Sequence, residues 1–316
     1  MPTKENEHTR KWHKQRWILS LLLLGIATLG ALVSILTGIF APAETSSISF
    51  LTDSSHAETT LDGSTPKTID PPAGDLYLVN AEHPWASPES GTLVSVYAQK
   101  LDGYNVRDTD IFLEQRLMEP LNRMLGDFLQ FTGNENLLLC AGYRTREEQQ
   151  ALWDRAVETK GEQHANSYLA RPGTSEHHTG LAVDFSFYDV STGASYDFDG
   201  SGDSAWILEH CWEYGFVQRY PEGKAEITGI STEPWHFRYV GLPHAYLMRE
   251  NNFCLEEYLT WLRQYPYDGE HLTADCGGKC YEIWYCPADD LQCSGDGTYT
   301  ISGDNCGGAV ITLETA

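Results

Sequence analysis

The chain has 316 residues, 41% of them apolar, enough for one sizeable core with appendages. Its formal net charge of −24 excludes nucleic acid as a partner, because that binding needs a basic footprint. The charge is uneven. Residues 1–40 hold five Lys/Arg against two Asp/Glu and the remainder holds 16 against 43, the composition of a solvated, anionic domain.

Trp17 to Ala41 contains no charged residue. At about 1.5 Å per residue the run crosses a hydrocarbon layer of roughly 30 Å. Arg10, Lys11, Lys14 and Arg16 precede it. The positive-inside rule therefore places residues 1–16 in the cytoplasm, 17–41 across the membrane as a single helix, and the rest outside. The run exceeds the apolar core of a cleaved signal peptide, about 7–15 residues. Residues 42–72 are rich in Ser, Thr, Pro and Asp without hydrophobic period and read as a disordered spacer. A folded domain is expected over 73–265, opening near Leu76.

Leu113, Leu117, Leu121, Leu125 and Phe128 recur at helical spacing and predict an amphipathic helix from about Asp110 to Phe131. Pro120 inside it predicts a kink or a later start. Leu137 to Cys140 reads as a buried strand running into Gly142-Tyr-Arg144. Thr145 then starts a helix, with Glu148 completing a capping box. Arg144 falls at the strand–helix junction, where side chains reach into clefts.

Two short stretches carry the chemistry: Ser175-Glu-His-His-Thr-Gly-Leu-Ala-Val-Asp184 and Glu233-Pro-Trp-His236. They supply two histidines, one aspartate and a spare glutamate. That is the ligand set of a catalytic zinc, with a carboxylate to move protons. Leu181 to Phe187 alternates as a strand, with Val183, Phe185 and Phe187 on one face and Asp184 on the other. Thr179-Gly180 offers the turn that brings His177 to Asp184. His178 is expected to point elsewhere. Ser204 to Tyr214 reads as a helix closed by Gly215. Trp235 to Val240 reads as a strand with His236 and Arg238 on one face. Pro234 holds Glu233 in an extended loop conformation before it.

Asp197 to Asp203 resembles the start of a calcium loop, but Leu208 stands where that loop needs Glu, so the stretch reads as an acidic turn. Residues 266–316 show turns and no helical period and read as a small β-rich appendage. Cys276, Cys280, Cys286, Cys293 and Cys306 crowd it. Outside the cell disulfides are expected there, with a structural zinc at Cys276-x3-Cys280 as the alternative.

With these residues in view, the chain resembles the D-alanyl-D-alanine carboxypeptidases of the VanY type, zinc peptidases that share a fold with hedgehog N-terminal domains. Ser175, His177, Gly180, Ala182 and Asp184 meet the family pattern S-x-H-x-x-G-x-A-x-D. Glu233, Trp235 and His236 meet E-x-W-H, and Gly142-Tyr143-Arg144 with Gln149 meets the upstream element, Thr145 standing where Ser is usual. The resemblance covers roughly residues 76–265. It implies an α+β fold, an antiparallel sheet flanked by helices. It also implies zinc held by His177, Asp184 and His236, Glu233 as general base and then acid, Arg144 steadying the carbonyl oxygen, and Gln149 and Ser175 contacting the C-terminal residue of the substrate. The implied reaction is removal of terminal D-alanine from peptidoglycan stem peptides, in wall remodelling or glycopeptide resistance. L,D-carboxypeptidase or endopeptidase action on the same polymer, and a non-catalytic wall-binding module, are the competing expectations.

Overall fold

The computed structural model describes residues 72–86, 91–293 and 298–315. The apolar run 17–41 lies outside the described residues. Among the described residues no helix is long and apolar enough to cross a membrane.

In chain order the strands are β1 (Leu93–Ser95), β2 (Asn105–Val106), β3 (Phe112–Glu114), β4 (Leu137–Ala141), β5 (Ala182–Asp189), β6 (Ala194–Tyr196), β7 (Phe216–Tyr220), β8 (Glu233–Tyr239), β9 (Leu272–Cys276), β10 (Lys279–Pro287), β11 (Thr298–Gly303) and β12 (Gly308–Thr315). The helices are α1 (Val96–Gln99), α2 (Met118–Thr132), α3 (Arg146–Lys160), α4 (Glu162–Tyr168), α5 (Ser204–His210), α6 (Ala225–Thr228), α7 (His244–Asn251) and α8 (Leu255–Leu262). The central sheet runs β2-β4-β5-β8-β7, with β6 added to the end of β5. The expected all-antiparallel sheet is corrected at one edge. β2 pairs with β4 in parallel, because the chain returns through α2 rather than a hairpin. The class is α+β.

α2 begins later than the apolar period suggests. Leu113 sits on β3 and Leu117 ends a 3-10 turn, yet both are buried in the core that takes Leu121, Leu125 and Phe128 of α2. One apolar stripe thus runs through three elements facing one core. Pro120 is third in α2, where a backbone N–H has no helical acceptor, so it is accommodated without a kink. Gly133, at φ 68°, closes the helix with its N–H on Leu129 O. The Thr145–Glu148 capping box of α3 forms as expected. Glu233 differs: it opens strand β8 rather than ending a loop.

The C-terminal residues form a four-stranded antiparallel sheet, order β11-β12-β10-β9. One of its faces joins the rest of the protein. Ile283 and Val310 share a core with Tyr258, Leu259 and Leu262 of α8, with α7, and with Leu76 and Leu78 of the N-terminal segment. Fully burying a side chain of this size stabilises by roughly 1.5–3 kcal/mol. Trp284, Ile311 and Leu313 fill a further core.

All eight cysteines are free thiols, which corrects the disulfide expectation. Cys276 is buried while Cys280, across the hairpin turn, is exposed, so the two face different surroundings. They form neither a bridge nor a metal pair. Burial pushes the Cys211 and Cys254 thiols up to about 12.

Candidate active site

The central sheet brings the two motifs together by register. Asp184 on β5 lies directly opposite His236 on β8. Val183 and Phe185 point into the core, so the alternation of the strand turns Asp184 into the cleft. His177 arrives from a 3-10 turn, Glu176–Thr179, closed by Gly180 at φ 70°. At Gly180 a Cβ would come within 2.9 Å of Leu93 and 3.2 Å of Glu114, and the left-handed backbone itself favours glycine.

Second contacts orient the ligands. His177 Nδ1 is 2.6 Å from Gly142 O, so that nitrogen donates and Nε2 is left facing Asp184 Oδ2 at 3.3 Å. His236 Nδ1 faces Asp184 Oδ1 at 3.0 Å. Its Nε2 faces Glu176 Oε2 at 3.7 Å. One ligand atom from each of His177, Asp184 and His236 lies within 4.8 Å of the others, the only such metal-binding group among the described residues. Zinc bonds of about 2.0–2.1 Å in tetrahedral geometry set neighbouring ligands roughly 3.3–3.4 Å apart, close to these separations. Asp184 Oδ1 and His236 Nε2 are buried without hydrogen bonds. A buried carboxylate oxygen with no donor is costly alone and is satisfied by a cation. The donor set and its unsatisfied oxygen therefore fit zinc.

Electrostatics agree. Burial works against the charge on Asp184, but His177 and His236 outweigh it and hold the carboxyl well below its usual range. Burial, helped by Arg144, lowers the pKa of His177. Burial also opposes protonation of His236, yet Asp184, Glu176 and Glu233 together raise it to about 9. Glu233 is pushed up to about 8, chiefly by burial and then by Asp184. Its Oε2 lies 3.7 Å from His236 Nδ1, outside the ligand trio but beside it.

Arg144 reaches the same cleft. Its Nη1 donates to Gln149 Oε1 at 2.6 Å and its Nη2 is 4.0 Å from Asp184 Oδ2. Gln149 donates in turn to Ala170 O at 2.6 Å. Both ends of its amide are engaged, so the structure has Gln149 holding Arg144, although it also lines the cleft. Ser175 lines the cleft too, its hydroxyl accepting from His177 N at 3.4 Å. His178 points away, bonding Arg144 O and Gly173 N.

Three residues behind the metal ligands carry no role in the motif reading. Glu176 is fully buried, and its Oε1 accepts from Arg219 Nε at 2.7 Å and Arg238 Nη1 at 2.9 Å. Burial opposes its charge, but the two guanidinium groups keep it ionised. Arg219 also forks onto Glu256 of α8, and Arg238 donates to Asp75 O and Tyr77 O. The signal for Arg238 was its strand parity with His236. For Glu176 it was adjacency to His177.

A single cleft of about 590 Å³ holds Arg144, His177, Asp184, Glu233 and His236, with Tyr220 and Trp235 among its walls. Comparison with known proteins bears on this arrangement. The VanY family model, D-alanyl-D-alanine carboxypeptidase, matches residues 110–242. A D-alanyl-D-alanine carboxypeptidase of Enterococcus faecium is 32% identical over 247 residues, 76% of this chain and 75% of that protein. The chain belongs to the VanY family. It is accordingly a zinc metallopeptidase, in agreement with the donor set described above. The bifunctional D-Ala-D-Ala dipeptidase and carboxypeptidase VanXYC of Enterococcus gallinarum is 38% identical over 160 residues, 50% of this chain and 82% of that one. The solved structure of the vancomycin-resistance D,D-dipeptidase VanXYg with a D-Ala-D-Ala phosphinate analog aligns at TM-score 0.67 and 35% identity. It covers 77% of this chain and 94% of its own. This VanY-family member thus shares its fold with a structure named a vancomycin-resistance D,D-dipeptidase.

Proposed function

We propose that this protein hydrolyses the terminal peptide bond of peptidoglycan stem peptides ending in D-alanyl-D-alanine. The observation that carries the reading is one cleft joining the metal trio, Glu233 beside it and the clamped Arg144. Zinc, when bound, supplies Lewis-acid polarisation and a more acidic water. Glu233 accepts the proton of the attacking water at its carboxylate and returns it to the leaving amine. Arg144, fixed by Gln149, sets its guanidinium where negative charge develops on the carbonyl oxygen. Ser175 lines the same cleft, which supports its contacting the C-terminal residue of the peptide.

Cleavage of the free dipeptide is a second reading, favoured by similarity to the bifunctional relative and to the dipeptidase structure. Mass analysis of products from a defined pentapeptide, a tetrapeptide and D-Ala-D-Ala separates the readings. Free D-alanine from the pentapeptide is the expected result. Internal fragments without free D-alanine would overturn the carboxypeptidase reading, and release from the tetrapeptide alone would make it an L,D-carboxypeptidase. Wild type and Glu233→Ala equally inactive on every one of these peptides would favour a binding module.

The uncharged run Trp17–Ala41 behind four basic residues supports anchoring by a single helix, with the catalytic domain outside the cell. Carbonate-resistant membrane association and protease access from outside intact cells test it. Loss of terminal D-alanine removes the target of glycopeptide drugs, so deletion is expected to change drug susceptibility.

A further inference from the structure

The cleft continues past the metal ligands along α3 and α4, where Arg155, Thr159, Lys160, His164 and Tyr168 form its wall. The protein is strongly anionic, yet the only carboxylates lining the cleft are Asp184 and Glu233, both at the metal end. Among the described residues, only Arg155, Lys160 and Arg249 have cationic groups that make neither an ion pair nor a hydrogen bond. Two of these three line this wall. Nearby carboxylates are engaged elsewhere or do not line the cleft. Asp154 accepts from Gln150 at 2.8 Å, Glu162 lies 3.5 Å from Arg171, and Glu158 is not part of the lining. The His164 and Tyr168 rings, 4.9 Å apart, pack against each other on the same wall.

Distance along the helix decides what this wall can reach. Gln149 marks the metal end of α3 through Arg144. At 1.5 Å rise per residue, Arg155 lies about 9 Å and Lys160 about 16 Å farther along the helix axis. An extended peptide advances roughly 3.3 Å per residue, so Arg155 comes level with the residue about three back from the C terminus. An unpaired guanidinium suits a carboxylate, and the unpaired Lys160 ammonium, about 7.5 Å farther along the axis, adds positive charge to the same wall.

We propose that Arg155, supported by the positive charge of Lys160 farther along the wall, forms an anion subsite for a carboxylate carried by the substrate peptide two to three residues N-terminal to the scissile bond. This rests on the peptidase reading above. It makes the preferred substrate an acidic peptide rather than its amidated counterpart, and it gives the distal half of the cleft no use on a bare dipeptide.

The test compares two peptides ending in D-Ala-D-Ala that differ only by carboxylate or carboxamide on the residue three back from the C-terminal one. The zinc-loaded wild type is expected to show a KM roughly fivefold lower for the carboxylate, the scale of a partly exposed charge pair, with similar kcat. The preference should shrink with added salt. In Arg155→Gln/Lys160→Gln the ratio should fall to about one. Both residues are exposed on a helix that tolerates glutamine, so folding is retained. Equal KM values in wild type, or a preference that survives in the double variant, would overturn the subsite. Calorimetric binding of the two peptides to Glu233→Ala reads the same preference without turnover, and equal affinities there would also overturn it. Failure of wild type to cleave either peptide, with the binding preference intact, would overturn the peptidase reading and leave the subsite standing.

Discussion

Two buried histidines eight residues apart are held in opposite ways. His236, at the metal end, is ringed by Asp184, Glu176 and Glu233, which raise its pKa to about 9 in spite of burial. His244, where the C-terminal sheet joins the domain, meets only hydroxyls. Its Nδ1 is 2.8 Å from Tyr258 Oη and its Nε2 is 3.1 Å from Thr312 Oγ1, and burial alone pushes it down to about 3. Burial therefore does not set the protonation of a histidine; its neighbours do. The metal end is a buried charge balanced by other charges. The junction with the appendage is a neutral, apolar interface with one hydroxyl-bonded ring.

The largest expected effect lies at the charged end. Glu233→Gln is expected to lower kcat by about 10²–10⁴, while elemental analysis still finds zinc. Near-normal turnover would remove Glu233 from the chemistry.

Next is the support beneath the ligands. Arg238→Met leaves the buried Glu176 with Arg219 alone and removes two bonds to the N-terminal segment. Breaking a buried pair on one side costs about 3–5 kcal/mol, readable in urea unfolding. Zinc affinity measured by chelator competition should fall roughly 10–100-fold, the usual loss when ligand support is removed. Unchanged stability would mean that the pair is replaceable.

At the neutral end the effect depends on pH. The folded pKa of His244, about 3, lies below its unfolded value of about 6.5. Above pH 6.5 both states are neutral and His244 adds no slope. As pH falls from 6.5 toward 3 the unfolded state takes the proton and stability drops. The expected loss is about 2 kcal/mol between pH 7 and pH 5. Denaturation curves of wild type and His244→Phe should differ in slope over that window and run parallel above it. Identical slopes would show that His244 is not held neutral.

The smallest effect belongs to Thr312→Val, which removes one hydroxyl from His244. It is expected to cost about 1 kcal/mol and to leave zinc affinity unchanged. A shift in zinc affinity would show that the two ends are coupled.

The sequence alone determined the site's chemistry and much of its framework. The spacing of His177, Asp184, Glu233 and His236 is read within two short motifs, and strand alternation sends Asp184 and His236 to one side. The Thr145–Glu148 cap and Gly180 are equally local. What the tertiary structure decided depends on distant segments meeting. The late start of α2 was hidden because β3 and a 3-10 turn face the same core and continue the apolar period. Glu176, Arg219 and Arg238 read as ordinary charged residues until burial removes their water and makes each need the others. Gln149 turned out to hold Arg144 because both ends of its amide are taken. Cys276 and Cys280 are close in sequence yet one is buried and the other exposed, since proximity along the chain says little about which face of a sheet a thiol occupies. The free cations on α3 were invisible as a pair facing the cleft, because only the packed helix shows which carboxylates they lack.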